Sequence, residues 1–447
     1  MDPIGLPRHI RETVALAAPV TVGRIGILVL VAVDTAMTGH AGASELAYYA
    51  VGLAPQVTMV LIGVGLLMGT VVLTAQAAGA GRERECGAVW RVALGQALLY
   101  GAVLALATLA GERFLLATGQ SPAVAAGAGR VMVMLGLGLP GMLLYTATTL
   151  FLEGINRPLP GMLAMLAANG VNAALNWVFI YGHLGAPALG AEGAALATTV
   201  ARWFLFAATA LYVLLAVDPR RYGTRERRAG RAAVGRRLLR LGLPLGIAHG
   251  LESGAFATMV LLAGLLGPGQ VAGYQIAMNL LALVFMCAVG FATAASVRVG
   301  QAIGRRDRAA VRTAGWTAVG TAGVVQAACA AGFALAPGVL AAVYSDDPAV
   351  TAVAIPTIAV GALALLPDGM QGVVIGALRG TGDVWPATGL YLLAFWGVMV
   401  PAGYLLGVGL GLGAPGLMGG VLAGTVSAAL LLSLRFQLIS ARLPAPR

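Results

Sequence analysis

The chain has 447 residues, of which 59% are hydrophobic and only 10% charged, against about 25% charged in an ordinary soluble domain. That balance excludes a water-soluble fold and places the polypeptide in a bilayer. The formal charge of +11 comes wholly from arginines set in short connections between apolar runs, so it reads as an orientation signal and no nucleic-acid partner is expected.

Crossing about 30 Å of hydrocarbon takes roughly 20 helical residues. In chain order, apolar runs of that length predict twelve transmembrane helices, near residues 14–37, 49–75, 88–110, 124–150, 160–181, 190–216, 238–262, 271–303, 311–335, 349–378, 386–406 and 415–439. The first run is longer than a signal-peptide core and has no small-residue cleavage site, so it is expected to be retained. Cys86, Cys287 and Cys329 are far apart, without metal-ligand or redox spacing, and read as packing residues.

If the first helix enters from the cytoplasm, nearly all the arginines fall inside: those near the N-terminus, the three at 82, 84 and 91, Arg157, the dense run over 220–240, the group at 298–312, and Arg379, Arg435, Arg442 and Arg447. Only Arg113 and Arg130 fall outside, while Arg24 and Arg202 lie within spans. That asymmetry predicts two cytoplasmic termini and an even number of spans.

The basic run also marks a midpoint. The expected division is an N-terminal six-helix lobe over 1–216, a basic cytoplasmic linker over 217–237 and a C-terminal six-helix lobe over 238–447. A shift of 225 residues brings Pro19 onto Pro244, Gly65 onto Gly290, Tyr49 onto Tyr274 and Gln76 onto Gln301. At 226, Gly154 and Pro160 meet Gly380 and Pro386. Six spans per half make the halves parallel repeats, a geometry suited to alternating access. The predicted fold class is thus an all-α membrane protein of twelve helices in two parallel six-helix repeats.

Ionisable groups inside a span are costly and mark function. Asp34 lies in the outer part of the first helix, Glu252 near the middle of the seventh and Asp368 near the middle of the tenth. His249 and Gln371 stand three residues from Glu252 and Asp368, on the same helix faces. Carboxylates with no arginine within a helical turn can carry a cation when ionised and a proton when neutral, which makes these the coupling candidates. Asn172 and Asn176, one turn apart, with Thr198 at the depth of Asp34, outline a polar pocket in the first half. Arg202, one turn beyond Thr198, is expected to reach Asp34 as a buried ion pair. Gln275 and Asn279 form an i, i+4 stripe that either lines a substrate cleft or bonds helices together.

With these residues placed, three segments carry a resemblance: VDTAMTGHAG from Val33, LNWVFIYGHLGAPALGAEGAALAT from Leu175 and PDGMQGVVIGALRGTGD from Pro367. Together they resemble the multidrug and toxic compound extrusion (MATE) family, in particular its bacterial NorM-like members, over essentially the whole chain. The resemblance implies a two-lobed, V-shaped transporter of the bacterial cytoplasmic membrane. It would export cationic and amphipathic compounds in exchange for inward Na⁺ or H⁺, with no other cofactor, and act as a monomer. It assigns Asp34 to the first-lobe acidic position, with Asn172, Asn176 and Thr198 around it, and Glu252 and Asp368 to the second-lobe carboxylates, where any Na⁺ would bind. Ala364 departs from some similar proteins, which have a tyrosine near the cation, and Arg202 is not a family feature. A lipid-linked precursor flippase of the same superfamily would need a more cationic cavity, to which Arg24 and Arg202 point. An enzyme would need a nucleophile-base or metal constellation, which His9, His40, His183 and His249 do not form. A channel with a symmetric ring filter does not fit the uneven placement of the acids.

Overall fold

The structure, a computed structural model, describes residues 5–226 and 231–442. Arg227 and Arg228 of the basic linker, and Arg447, lie outside the described residues. Twelve helices are long and apolar enough to cross a membrane: α1 Gly5–Ala41, α2 Ala43–Gly79, α3 Glu83–Thr108, α4 Pro122–Gly154, α5 Leu159–Tyr181, α6 Ala191–Ala216, α7 Arg231–Leu265, α8 Pro268–Gly304, α9 Arg308–Leu335, α10 Pro348–Thr381, α11 Val384–Gly409 and α12 Gly413–Arg442. All twelve expected spans are present. Several helices begin earlier than hydropathy indicates, α1 at Gly5 and α7 at Arg231. Polar helix formers such as Arg8 and Glu12 continue the hydrogen-bond ladder, whereas hydropathy marks only the apolar stretch.

Breaks in the helices follow identifiable residues. Pro19 and Pro244 sit inside α1 and α7, α4 is interrupted at Gly138 just before Pro140, and α11 widens into π-helical turns over Leu393–Met399 and Tyr404–Gly409. Between those turns lies Pro401, which has no N–H to donate and whose ring would crowd the preceding turn.

Contacts divide the chain into two compact units. One comprises Met1–Thr21, Gly79–Gly81 and Ile247–Arg447, the other Val22–Ala78 and Arg82–Gly246. These borders differ from the expected divisions at 216 and 238, because the first part of α1 is grouped with the second half and the first part of α7 with the first half. The repeat shows how. A Cβ on Gly65 of α2 would lie 2.7 Å from the Cα of Gly246 in α7. Its partner at the 225 shift, Gly290 of α8, lies against Ala17 and Thr21 of α1. Each glycine, having no side chain, lets the opening of the other repeat's first helix lie directly on its backbone.

The grafted part of α1 is also held by hydrogen bonds. Arg298 of α8, only 8% exposed, donates to the carbonyl of His9 at 2.9 Å, to Thr13 Oγ1 at 2.5 Å and to Glu12 Oε2 at 3.1 Å, and its Nη2 lies 2.5 Å from His9 Nδ1. The acceptor role of Nδ1 assigns the imidazole proton to Nε2.

Candidate functional site

In the unit holding Val22–Ala78, the C-terminal part of α1 meets α2, α5 and α6 around one carboxylate. Asp34 is completely buried. Its Oδ2 accepts from Tyr49 Oη at 2.7 Å and from Thr198 Oγ1 at 2.5 Å, and its Oδ1 accepts from Asn176 Nδ2 at 2.6 Å. Asn176 and Asn172 are joined at 3.3 Å, and Asn172 donates to Thr198 at 3.3 Å. The i, i+4 spacing of the two asparagines puts both on the face of α5 that meets α1 and α6. Asp34, Asn172, Asn176 and Thr198 therefore gather as expected. Tyr49 completes the set and was not foreseen as a site residue.

The expected Asp34–Arg202 ion pair is not formed. Arg202 instead donates to the carbonyl of Leu135 at 3.0 Å, which also accepts from the Gly138 N–H at 3.1 Å where α4 breaks. Asp34 already accepts from three donors within its own pocket, and the Leu135 carbonyl, with two lone pairs, takes the guanidinium as its second donor.

In the other unit, α7, α10 and α11 bring a second acidic cluster together. Glu252 Oε1 accepts from Tyr391 Oη at 2.7 Å, and Glu252 Oε2 lies 3.3 Å from His249 Nδ1. Asp368 Oδ1 accepts from Gln371 Nε2 at 3.3 Å, and Glu252 and Asp368 are close enough to act on each other electrostatically. Both acids are partly accessible. Gln371 is buried, and its Oε1 has no hydrogen-bond donor. Two carboxylates and an unsatisfied amide oxygen form an acceptor-rich site fitted to a hard cation or a proton. Tyr391, from α11, supplies the aromatic hydroxyl that Ala364 does not. Gln275 and Asn279 are exposed, with no hydrogen bond to this cluster or to any other described residue, so they do not bond helices together.

The repeat does not duplicate either acidic cluster. At the 225 shift Asp34 corresponds to Met259 and Glu252 to Ile27; at 226, Asn172, Asn176, Asp368 and Tyr391 correspond to Val398, Ala402, Met142 and Met165. Tyr274, the partner of Tyr49, is fully buried with no acceptor for its hydroxyl. Each polar site thus has an apolar counterpart in the other repeat.

Twelve helices long and apolar enough to cross a membrane, in two repeated units with acidic clusters sunk among them, are the architecture of a multi-pass membrane transporter. The sequence model of the MatE family matches residues 19–178 and 244–405, and the chain belongs to that family. The two stretches begin 225 residues apart, the shift of the internal repeat. The chain is 37% identical over 435 residues to the probable multidrug resistance protein NorM of Caulobacter vibrioides, covering 96% of this chain and 92% of that one. It is 34% identical over 436 residues to the multidrug resistance protein PmpM of Pseudomonas aeruginosa, covering 96% and 91%. Among solved structures it shares the fold of the eukaryotic MATE transporter AtDTX14, with a TM-score of 0.89 at 22% identity, covering 97% and 96% of the two chains. An outward-facing multidrug resistance MATE family transporter gives a TM-score of 0.90, also at 22% identity, covering 100% and 99%.

Proposed function

We propose that this chain is a multidrug exporter of the bacterial cytoplasmic membrane, with both termini in the cytoplasm, that expels cationic and amphipathic small molecules in exchange for inward Na⁺ or H⁺. The observation that carries the coupling role is the acidic cluster of Glu252, Asp368, Tyr391 and Gln371. Neither carboxylate has an arginine partner there, and a buried oxygen is left without a donor. Acceptors gathered in a span without a compensating cation mark a site suited to a cation or a proton. The relatives named as multidrug resistance proteins support the substrate class, and the arginine asymmetry supports the orientation. Asp34 and its three donors form a second candidate carrier in the other unit, and uptake of a proton on the carboxylate would have to displace one of the hydrogen bonds it accepts from Tyr49, Thr198 and Asn176. The test is ethidium efflux from proteoliposomes under a separately imposed Na⁺ or proton gradient. Concentrative efflux under one gradient is expected; no transport of any cationic dye under either would reject the exporter and favour a lipid-linked flippase.

A further inference from the structure

Arg24 stands apart from the other charged residues in the spans. Asp34, Arg202, Glu252, Asp368 and Arg298 each have a hydrogen-bond partner. Arg24 has neither a hydrogen bond nor an ion pair among the described residues, yet it lies about 16 Å along α1 beyond Thr13 and about 15 Å short of Asp34. That depth is costly for a charge with no counter-ion. The side chain is half-buried, so a small molecule can reach it.

Its surroundings show what it faces. Gly23 and Gly26 bring α1 against Met162, Met165 and Asn169 of α5, and Asn169 Nδ2 donates to the carbonyl of Gly26 at 3.1 Å. Ile27, one turn beyond Arg24, packs on the apolar cluster of Met142, Tyr145 and Met165, and the Arg24 charge acts on Tyr145. By the repeat, Ile27, Met142 and Met165 are the counterparts of Glu252, Asp368 and Tyr391, while Arg24 is the counterpart of His249. Where the second repeat gathers two acids, the first has packed apolar side chains and one unpaired cation.

We infer that Arg24 receives the anionic group of an exported amphiphile, a carboxylate, sulfonate or phosphate, beside the packed apolar cluster that holds Ile27, Met142 and Met165. This deepens the exporter reading and rests on it for transport, but not for binding. The guanidinium offers a planar donor fork to such a group. The transported range then extends to zwitterions and anions, beyond the cations that an acidic site alone would select.

The test uses the full chain and a matched pair of dyes, the zwitterionic free acid rhodamine 19 and its cationic ethyl ester rhodamine 6G. Binding is measured by fluorescence anisotropy in nanodiscs of phosphatidylcholine, and efflux in proteoliposomes. Arg24→Met is expected to weaken binding of the free acid by about tenfold or more, as for loss of a charge-assisted hydrogen bond, and to leave the ester unchanged; Arg24→Lys should retain much of the preference. Equal weakening of both dyes, or of neither, would overturn the assignment. So would nanodiscs containing phosphatidylglycerol in which the anionic lipid raises the wild-type melting temperature, Arg24→Met abolishes that rise, and free-acid binding is indifferent to the substitution, since Arg24 would then hold a lipid headgroup. If the wild type binds the free acid through Arg24 but expels neither dye, the exporter reading fails and the binding site stands.

Discussion

At the residue scale, the two tyrosines related by the repeat provide an internal control. Tyr49 donates to a buried carboxylate, whereas the hydroxyl of Tyr274 is buried without an acceptor. Removing a donor from a buried acid leaves that acid under-satisfied, at a cost of about 1–3 kcal/mol, while removing an unpartnered hydroxyl costs little or stabilises. Tyr49→Phe should therefore lower the melting temperature of the purified protein and Tyr274→Phe should leave it unchanged or raise it; equal losses would contradict the asymmetry of the two pockets. The acids themselves were legible in the sequence, because an ionisable residue stands out in an apolar run. Their tyrosine partners were not: Tyr49 was visible only as a repeat match and Tyr391 as one more aromatic in a span, since depth in a helix does not tell which neighbour lies across the packing interface. The same limit produced the expected Asp34–Arg202 pair. Helix spacing placed Arg202 one turn from Thr198, but it could not show that the Leu135 carbonyl, beside the break in α4, takes the guanidinium as a second donor.

At the element scale, hydropathy located all twelve helices and the repeat was readable from proline, tyrosine and glutamine matches. The grafting of each repeat's first helical turns was not readable, because a glycine in a run rich in small residues does not reveal which backbone it receives. The graft makes two predictions. Arg298→Met should release the start of α1 by removing donors to His9, Thr13 and Glu12, which will appear as faster amide exchange over residues 5–13 with the centre of α8 still protected. Unchanged exchange there would show that the glycine contact alone holds the segment. A side chain at Gly65 or Gly290 has no room to enter, so Gly65→Val and Gly290→Val should each destabilise by a few kcal/mol, as overpacking does, whereas Gly95→Val, at a position with open space, should be tolerated. Denaturation midpoints of the three variants make that comparison.

At the scale of the whole molecule, the even number of spans and the arginine placement call for both ends of the chain on one side. A C-terminal reporter is expected to be active only as a cytoplasmic fusion. The larger claim is coupling, and antiport has a thermodynamic signature: if an ion gradient drives substrate, a substrate gradient must drive the ion in the opposite direction. The most direct measurement loads proteoliposomes with ethidium, imposes no ion gradient, and records internal Na⁺ and pH as the dye moves. The account predicts displacement of one of the two ions counter to the dye, absent with Glu252→Gln and with Asp368→Asn even where either variant still binds ethidium; dye movement with no counter-flow of either ion, or counter-flow undiminished in both variants, would contradict it.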